Sequence, residues 1–92
     1  MQISEFKCLL ERALALMEKK LLKSNESIIK VFINEYNRVL GIINYDSKDI
    51  SNGELRKMKM FTRMYMETSS DYKQDFLYAM GDVESAIKKH FS

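Results

Sequence analysis

Ninety-two residues, 46% hydrophobic and 30% charged, make a chain the size of one small globular domain and too apolar to stay disordered. A net charge of +2, from fifteen Lys and Arg against thirteen Asp and Glu, argues against a general nucleic-acid binder, which carries a strongly basic face. The single cysteine, Cys8, rules out an internal disulfide and fits a reducing compartment, while Glu5, Lys7, Glu11 and Arg12 interrupt any secretory h-region and no apolar run nears the ~20 residues of a membrane span. The expectation is a cytoplasmic protein without membrane association.

The chain has no proline and only three glycines, and its apolar residues recur at helical spacing almost throughout. This predicts an all-α fold with little room for a strand. A first helix is predicted over about 3–23, with Ile3, Phe6, Leu10, Ala13, Leu14, Met17 and Leu21 on one face. Ser24, Asn25 and Ser27 supply turn and cap chemistry. A second is predicted over about 26–44. Its stripe is Ile29, Phe32, Ile33, Tyr36, Val39, Leu40 and Ile43, with Val31 and Ile42 on the flank. It is the most apolar helix and is expected to be the most buried.

A loop over 45–52 follows, acidic at Asp46 and Asp49, and Ser51 with Glu54 reads as a capping box. The third helix is predicted over about 53–67, with Leu55, Met58, Phe61, Thr62 and Tyr65 on one face. Thr68-Ser69-Ser70 breaks the pattern, with Ser69 or Ser70 as the next N-cap. The fourth helix, about 71–91, carries Tyr72, Phe76, Met80, Val83 and Ile87. Asp71 and Asp75 near its start, and Lys88, Lys89 and His90 near its end, suit the helix dipole. Short connections make antiparallel neighbours, so the predicted fold is an antiparallel four-helix bundle in a single domain over 1–92. A three-helix arrangement with a distorted third helix is the competitor.

Sites for chemistry are sparse. With one histidine, His90, and one cysteine, Cys8, the chain lacks the ligand spacings of a zinc centre and the paired Glu-x-x-His of a di-iron bundle. No metal or other cofactor is expected. Neither a nucleophile elbow nor a glycine-rich phosphate loop is present. Cys8 falls off the main stripe of its helix, near Ala15 and Leu22, as a small, partly exposed residue. The expectation is a protein that is not an enzyme.

The third helix is the candidate interaction surface. Four of the fifteen basic residues, Arg56, Lys57, Lys59 and Arg63, lie between positions 56 and 63. Met60 and Met64 stand one turn apart, away from the buried stripe, on the side of Arg56, Lys57 and Arg63. Methionine adapts to irregular surfaces and arginine is enriched at contacts. The plainer alternative is an apolar arc filling space between two neighbours. Tyr45, in the loop, is a candidate anchor for a partner. Glu84, at the edge of the buried face, needs a cationic partner, with Lys88 or Arg63 as candidates. Tyr36, Tyr65 and Tyr72 are expected to bury their rings and find partners for their hydroxyls.

Arg63 and Tyr65, a short polar turn, Asp71-Tyr72, and a last helix with Met80, Glu84 and Ile87 resemble the small all-helical immunity proteins that accompany polymorphic or contact-dependent bacterial toxins. The resemblance covers about Leu55 to Lys88. It implies a cytoplasmic protein that binds and blocks one cognate toxin, and transfers no binding residue. Many inhibitors of nuclease toxins are acidic, whereas this chain is slightly basic, so an acidic target surface is expected. The small WXG-type secretion proteins are of similar length but need a tryptophan, which is missing. A regulatory or phage-type accessory protein binding nucleic acid through the basic third helix is the alternative. A homodimer contacting through Met60, Met64 and Cys8 is a third reading.

Overall fold

The first helix, α1 (Ile3–Ser24), forms where the stripe predicts it and buries Phe6, Leu10, Ala13, Leu14 and Met17. It stops at Asn25, which takes the left-handed conformation with φ 52° and ψ 38° and returns its N–H to the Leu21 carbonyl at 2.8 Å. Asparagine tolerates this geometry better than any residue but glycine. The chain reverses within two residues and enters α2 (Ser27–Tyr45), which buries Ile29, Phe32, Tyr36, Val39 and Ile43. The computed structural model describes residues 2–45, 50, 52–68 and 73–91, and the backbone but not the side chain of Asn52.

The predicted third helix is present in extent but not in kind. A four-residue turn of helix, α3 (Asn52–Leu55), passes into a 3₁₀ stretch (Arg56–Met60), which passes into α4 (Phe61–Thr68). Together these three make one continuous segment, the third limb of the bundle. The last helix, α5, runs over Asp75–His90. Its predicted start at Asp71, the cap at Ser69 or Ser70, and Tyr72 lie outside the described residues, as do Asp46, Asp49 and Ser51. The residue before α5, Gln74, is extended and gives no side-chain cap.

Pairs of touching residues give the register. Phe6 of α1 packs on Phe91 beyond α5, with ring centroids 4.8 Å apart, and Arg12 faces Asp82 at 3.6 Å. Phe32 of α2 stacks on Phe61 at 4.5 Å, and Thr62 meets Glu84 of α5. Each limb therefore runs antiparallel to the next, and α5 closes the ring against α1 in the most extensive pairing of the fold. The architecture is an all-α helical bundle of four limbs rather than the three-helix competitor.

Burial departs from expectation in one respect. The most buried helix is α5, with eight of its sixteen residues inside, against five of nineteen in α2. Ala79 and Ala86 are among these buried residues of α5, beside the larger Phe76, Leu77, Met80, Val83 and Ile87. The apolar flank of α2 at Val31 stays 54% exposed.

Tyr65 closes one end of the bundle. Its hydroxyl donates to Glu26 Oε1 at 3.1 Å, in the turn between α1 and α2, and accepts from Gln74 Nε2 at 3.1 Å, at the head of α5. Its ring meets Phe76 edge-on at 5.1 Å. By contrast, the buried hydroxyl of Tyr36 has no hydrogen-bond partner among the described residues, against the expectation that it would find one. Burial first, and the nearby Glu84 charge second, hold this phenol protonated far above its ordinary range.

The left-handed stop after α1 yields a stability prediction. Asn25→Gly leaves stability unchanged or raises it slightly, because glycine meets φ 52° without strain. Asn25→Val costs about 1–2 kcal/mol, through the clash of its Cβ in that conformation. Urea denaturation of both variants, with equal m-values, checks this.

Candidate functional site

The 3₁₀ stretch sets what the third limb shows to solvent. At three residues per turn, side chains three apart eclipse into straight ridges. Leu55, Met58 and Phe61 form one such ridge and all are buried. Lys57 and Met60 form the next ridge, and Met64 continues it one α-turn later. The third ridge holds Arg56, which is exposed, and Lys59 and Thr62, which are half-buried.

Two contacts hold the ends of this stretch. At its start, Arg38 of α2 donates to the Glu54 carboxylate at 2.7 Å and to the Glu54 main-chain carbonyl at 2.9 Å. The same guanidinium grips Glu35 with two bonds, at 2.6 and 3.0 Å. The hydrogen bonds it donates to Glu35 and Glu54 hold the Arg38 guanidinium firmly protonated, and the bond from Arg38 draws the Glu35 carboxyl below its ordinary value, with the Lys57 charge adding to the effect. Glu54 thus bonds Arg38, while the capping box predicted with Ser51 falls outside the described residues.

At its end, the switch from 3₁₀ to α spacing sends the Phe61 N–H to the Met58 carbonyl. An α-helix would have sent the Thr62 N–H there. That N–H instead donates to Glu84 Oε2 at 3.0 Å, and the Thr62 hydroxyl donates to Glu84 Oε1 at 2.7 Å. Glu84, on α5, caps α4 from a neighbouring helix. It is only 8% exposed. Burial pushes its carboxyl above the ordinary value, against the pull of the two Thr62 bonds and of the Lys88 charge. The cationic partner expected from Arg63 is not made, because Arg63 points outward and pairs with Glu67 at 3.4 Å.

Between α2 and the third limb lies an open groove of about 520 Å³. Val31, Asn34, Glu35 and Arg38 form one wall, at the spacing of a single α-helical face. Lys57, Met60 and Met64 form the other, over a floor of Phe61. Val31 and Met60 are more than half exposed, at 54% and 55%, and Met64 is 37% exposed. The groove is therefore apolar along its length, with charge at the Arg38–Lys57 end.

The predicted interaction residues divide. Lys57, Met60 and Met64 line the groove, while Arg56, Lys59 and Arg63 do not. Tyr45 is 92% exposed at the end of α2. It lies seven residues beyond Arg38, two turns or about 10 Å along the helix, on the side that carries Val31 and Arg38. Val31, Asn34, Glu35 and Arg38 were missed by sequence reasoning. The signal lay in the spacing of Val31 and Arg38, seven apart on the flank of a stripe centred elsewhere.

A second concavity, of about 230 Å³, is lined by Lys19, Lys20, Lys23 and Lys73 with Asp75. Three of these lysines stand on the last turns of α1, where cations complement the helix dipole. Cys8 is exposed on α1. Among the described residues no three of His, Cys, Asp and Glu come together as metal ligands, and no helix is long and apolar enough to cross a membrane.

The Glu84–Thr62 contact makes two predictions. Thr62→Val removes the hydroxyl bond to a carboxylate and costs about 1.5–3 kcal/mol in urea denaturation. Glu84→Gln keeps an acceptor for the Thr62 N–H and removes a titration. Because the folded carboxyl titrates above its unfolded value, near 4.5, Glu84 contributes most below that pH, and its contribution is lost as pH rises through the folded value. The Tm of wild type minus that of Glu84→Gln accordingly falls between pH 4.5 and 8. A difference that rises over this window refutes the assignment. Comparison of the chain with models of protein families, with curated proteins and with solved structures finds no match.

Proposed function

We propose that this chain is a non-enzymatic protein-binding module that forms a stoichiometric complex with one cognate protein, and that it serves as an immunity protein neutralising a bacterial toxin. The observation that carries the reading is the groove. Exposed Met60, Met64 and Val31 stand over the Phe61 ring between two helices whose spacing is fixed by Arg38. An exposed apolar concavity with a polar end suits protein contact, and methionine walls adapt to a partner's side chains. The toxin-specific part rests on the resemblance over Leu55 to Lys88.

On this reading the residues that line the groove carry the contact. Arg56 and Arg63 are the sequence-based choices for charge reversal. Arg63 is engaged with Glu67 outside the groove, so Lys57 and Met60 are the better test. Affinity capture from the native host with the tagged full chain recovers one protein in stoichiometric amount at both low and moderate salt. Met60→Glu weakens that complex by about 2 kcal/mol or more, roughly 30-fold, as expected for a central contact residue, with an unchanged circular dichroism spectrum. Recovery of nucleic acid alone, and only at low salt, would show instead a basic helix acting on phosphates.

A further inference from the structure

We infer that the groove between α2 and the third limb receives an acidic amphipathic helix from the partner, its apolar stripe lying along Val31, Met60 and Met64 and its carboxylates meeting Lys57 and Arg56. This inference rests on the reading of the groove as the partner site. Three observations carry it.

The first is shape. Both walls are helical and antiparallel, and the exposed apolar residues lie along the groove rather than across it. A further helix laid between two helices places side chains three, four and seven apart into such a furrow. No strand edge exists among the described residues for an extended segment to pair with.

The second is charge. Among the described residues of this face, the carboxylates Glu35, Glu54 and Glu67 are engaged by Arg38 and Arg63. Arg38 is shared between Glu35 and Glu54, and the nearby Lys57 offsets the charge left over. Arg56 and Lys59, beside the groove rather than lining it, have no such ion pair among the described residues, so these five cations exceed the three carboxylates. A partner with carboxylates flanking an apolar stripe satisfies both this surplus and the apolar track.

The third is what that surplus disfavours. In a two-fold dimer the same patch enters the interface from both copies, so a second copy would add a further basic cluster to this one rather than carboxylates. Like charges brought together oppose such a complex and steer the choice towards an oppositely charged partner.

The test uses the full chain and a displayed library of 20-residue helix-forming peptides with randomised surface positions. The expected winners carry apolar residues at i, i+3 or i+4, and i+7, flanked by Asp or Glu. They bind wild type at least tenfold more tightly than Met60→Glu, and Lys57→Glu reverses the preference in favour of peptides whose acidic residues are changed to Lys. Both substitutions are at exposed positions, and circular dichroism verifies their folding. Winners that are neutral or basic, binding indifferent to Met60 and Lys57, or an empty selection each overturn the inference. So does a concentration-dependent dimer in sedimentation that Met60→Glu abolishes, since the occupant is then a second copy. Acidic helices that bind as described uphold this inference even if capture from the host yields no stoichiometric protein, which removes only the functional reading. A captured protein whose binding ignores the charge at position 57 overturns this inference and leaves the functional reading standing.

Discussion

A carboxylate on α5 that caps a helix it does not belong to is the contact on which the arrangement depends. The third limb changes helical pitch at Phe61, where the Met58 carbonyl takes the Phe61 N–H and the next donor, the Thr62 N–H, turns to a side chain. A buried N–H without a partner costs about as much as a lost hydrogen bond. Glu84 meets that need at Thr62 and is itself stabilised as an anion by the two bonds it accepts. Burial of the carboxyl opposes the arrangement, so the contact balances a desolvation cost against two charge-assisted bonds. The contact also fixes the rotation of α4 against α5, and hence the direction in which Met64 points.

Arg38 does the corresponding work at the other end. One guanidinium joins Glu35 of its own helix to both the side chain and the backbone of Glu54. An exposed ion pair alone adds little to stability. A planar fork with four bonds does more for geometry, because it sets the distance between α2 and the start of the 3₁₀ stretch. The apolar groove is what remains between the helices beyond that clamp. Its walls stay apart because the Phe32–Phe61 stack beneath them occupies the space into which they would otherwise collapse.

Most of the bundle was legible in the sequence. The stripes on α1 and α2 match the buried residues nearly position by position, since a wide apolar face at a period of 3.6 has few other solutions. The α5 stripe gives Phe76, Met80, Val83 and Ile87 but not the buried Ala79 and Ala86. The 3₁₀ stretch was not, although Leu55, Met58 and Phe61 stand three apart. That spacing occurs in α-helices as well, and only the neighbouring clamps decide between the two pitches. The partner of Glu84 was hidden for a similar reason. Reading along the helix offered Lys88, whose charge does act on Glu84, and charge across helices offered Arg63, which pairs with Glu67 instead. The hydrogen bonds come from the Thr62 hydroxyl and from a backbone donor at the change of pitch. For the groove, one wall was visible at Met60 and Met64. The other, at Val31 and Arg38, required knowing which flank of α2 faces the third limb.

The pairing of α1 with α5 has a consequence for the order in which the molecule is built. α1 makes its largest contact with α5, which is synthesised after every other described helix. Until α5 emerges, the face of α1 that will meet it, including Phe6, has only α2 for company, joined through the two-residue turn at Asn25. Closing the ring means bringing together segments about fifty residues apart along the chain (Ser24 to Asp75), and the entropy of that loop must be overcome before the contact repays it. The nascent protein therefore passes through a stage with an open apolar furrow on α1, and the rate at which α5 fills it decides how long that surface is available to other chains.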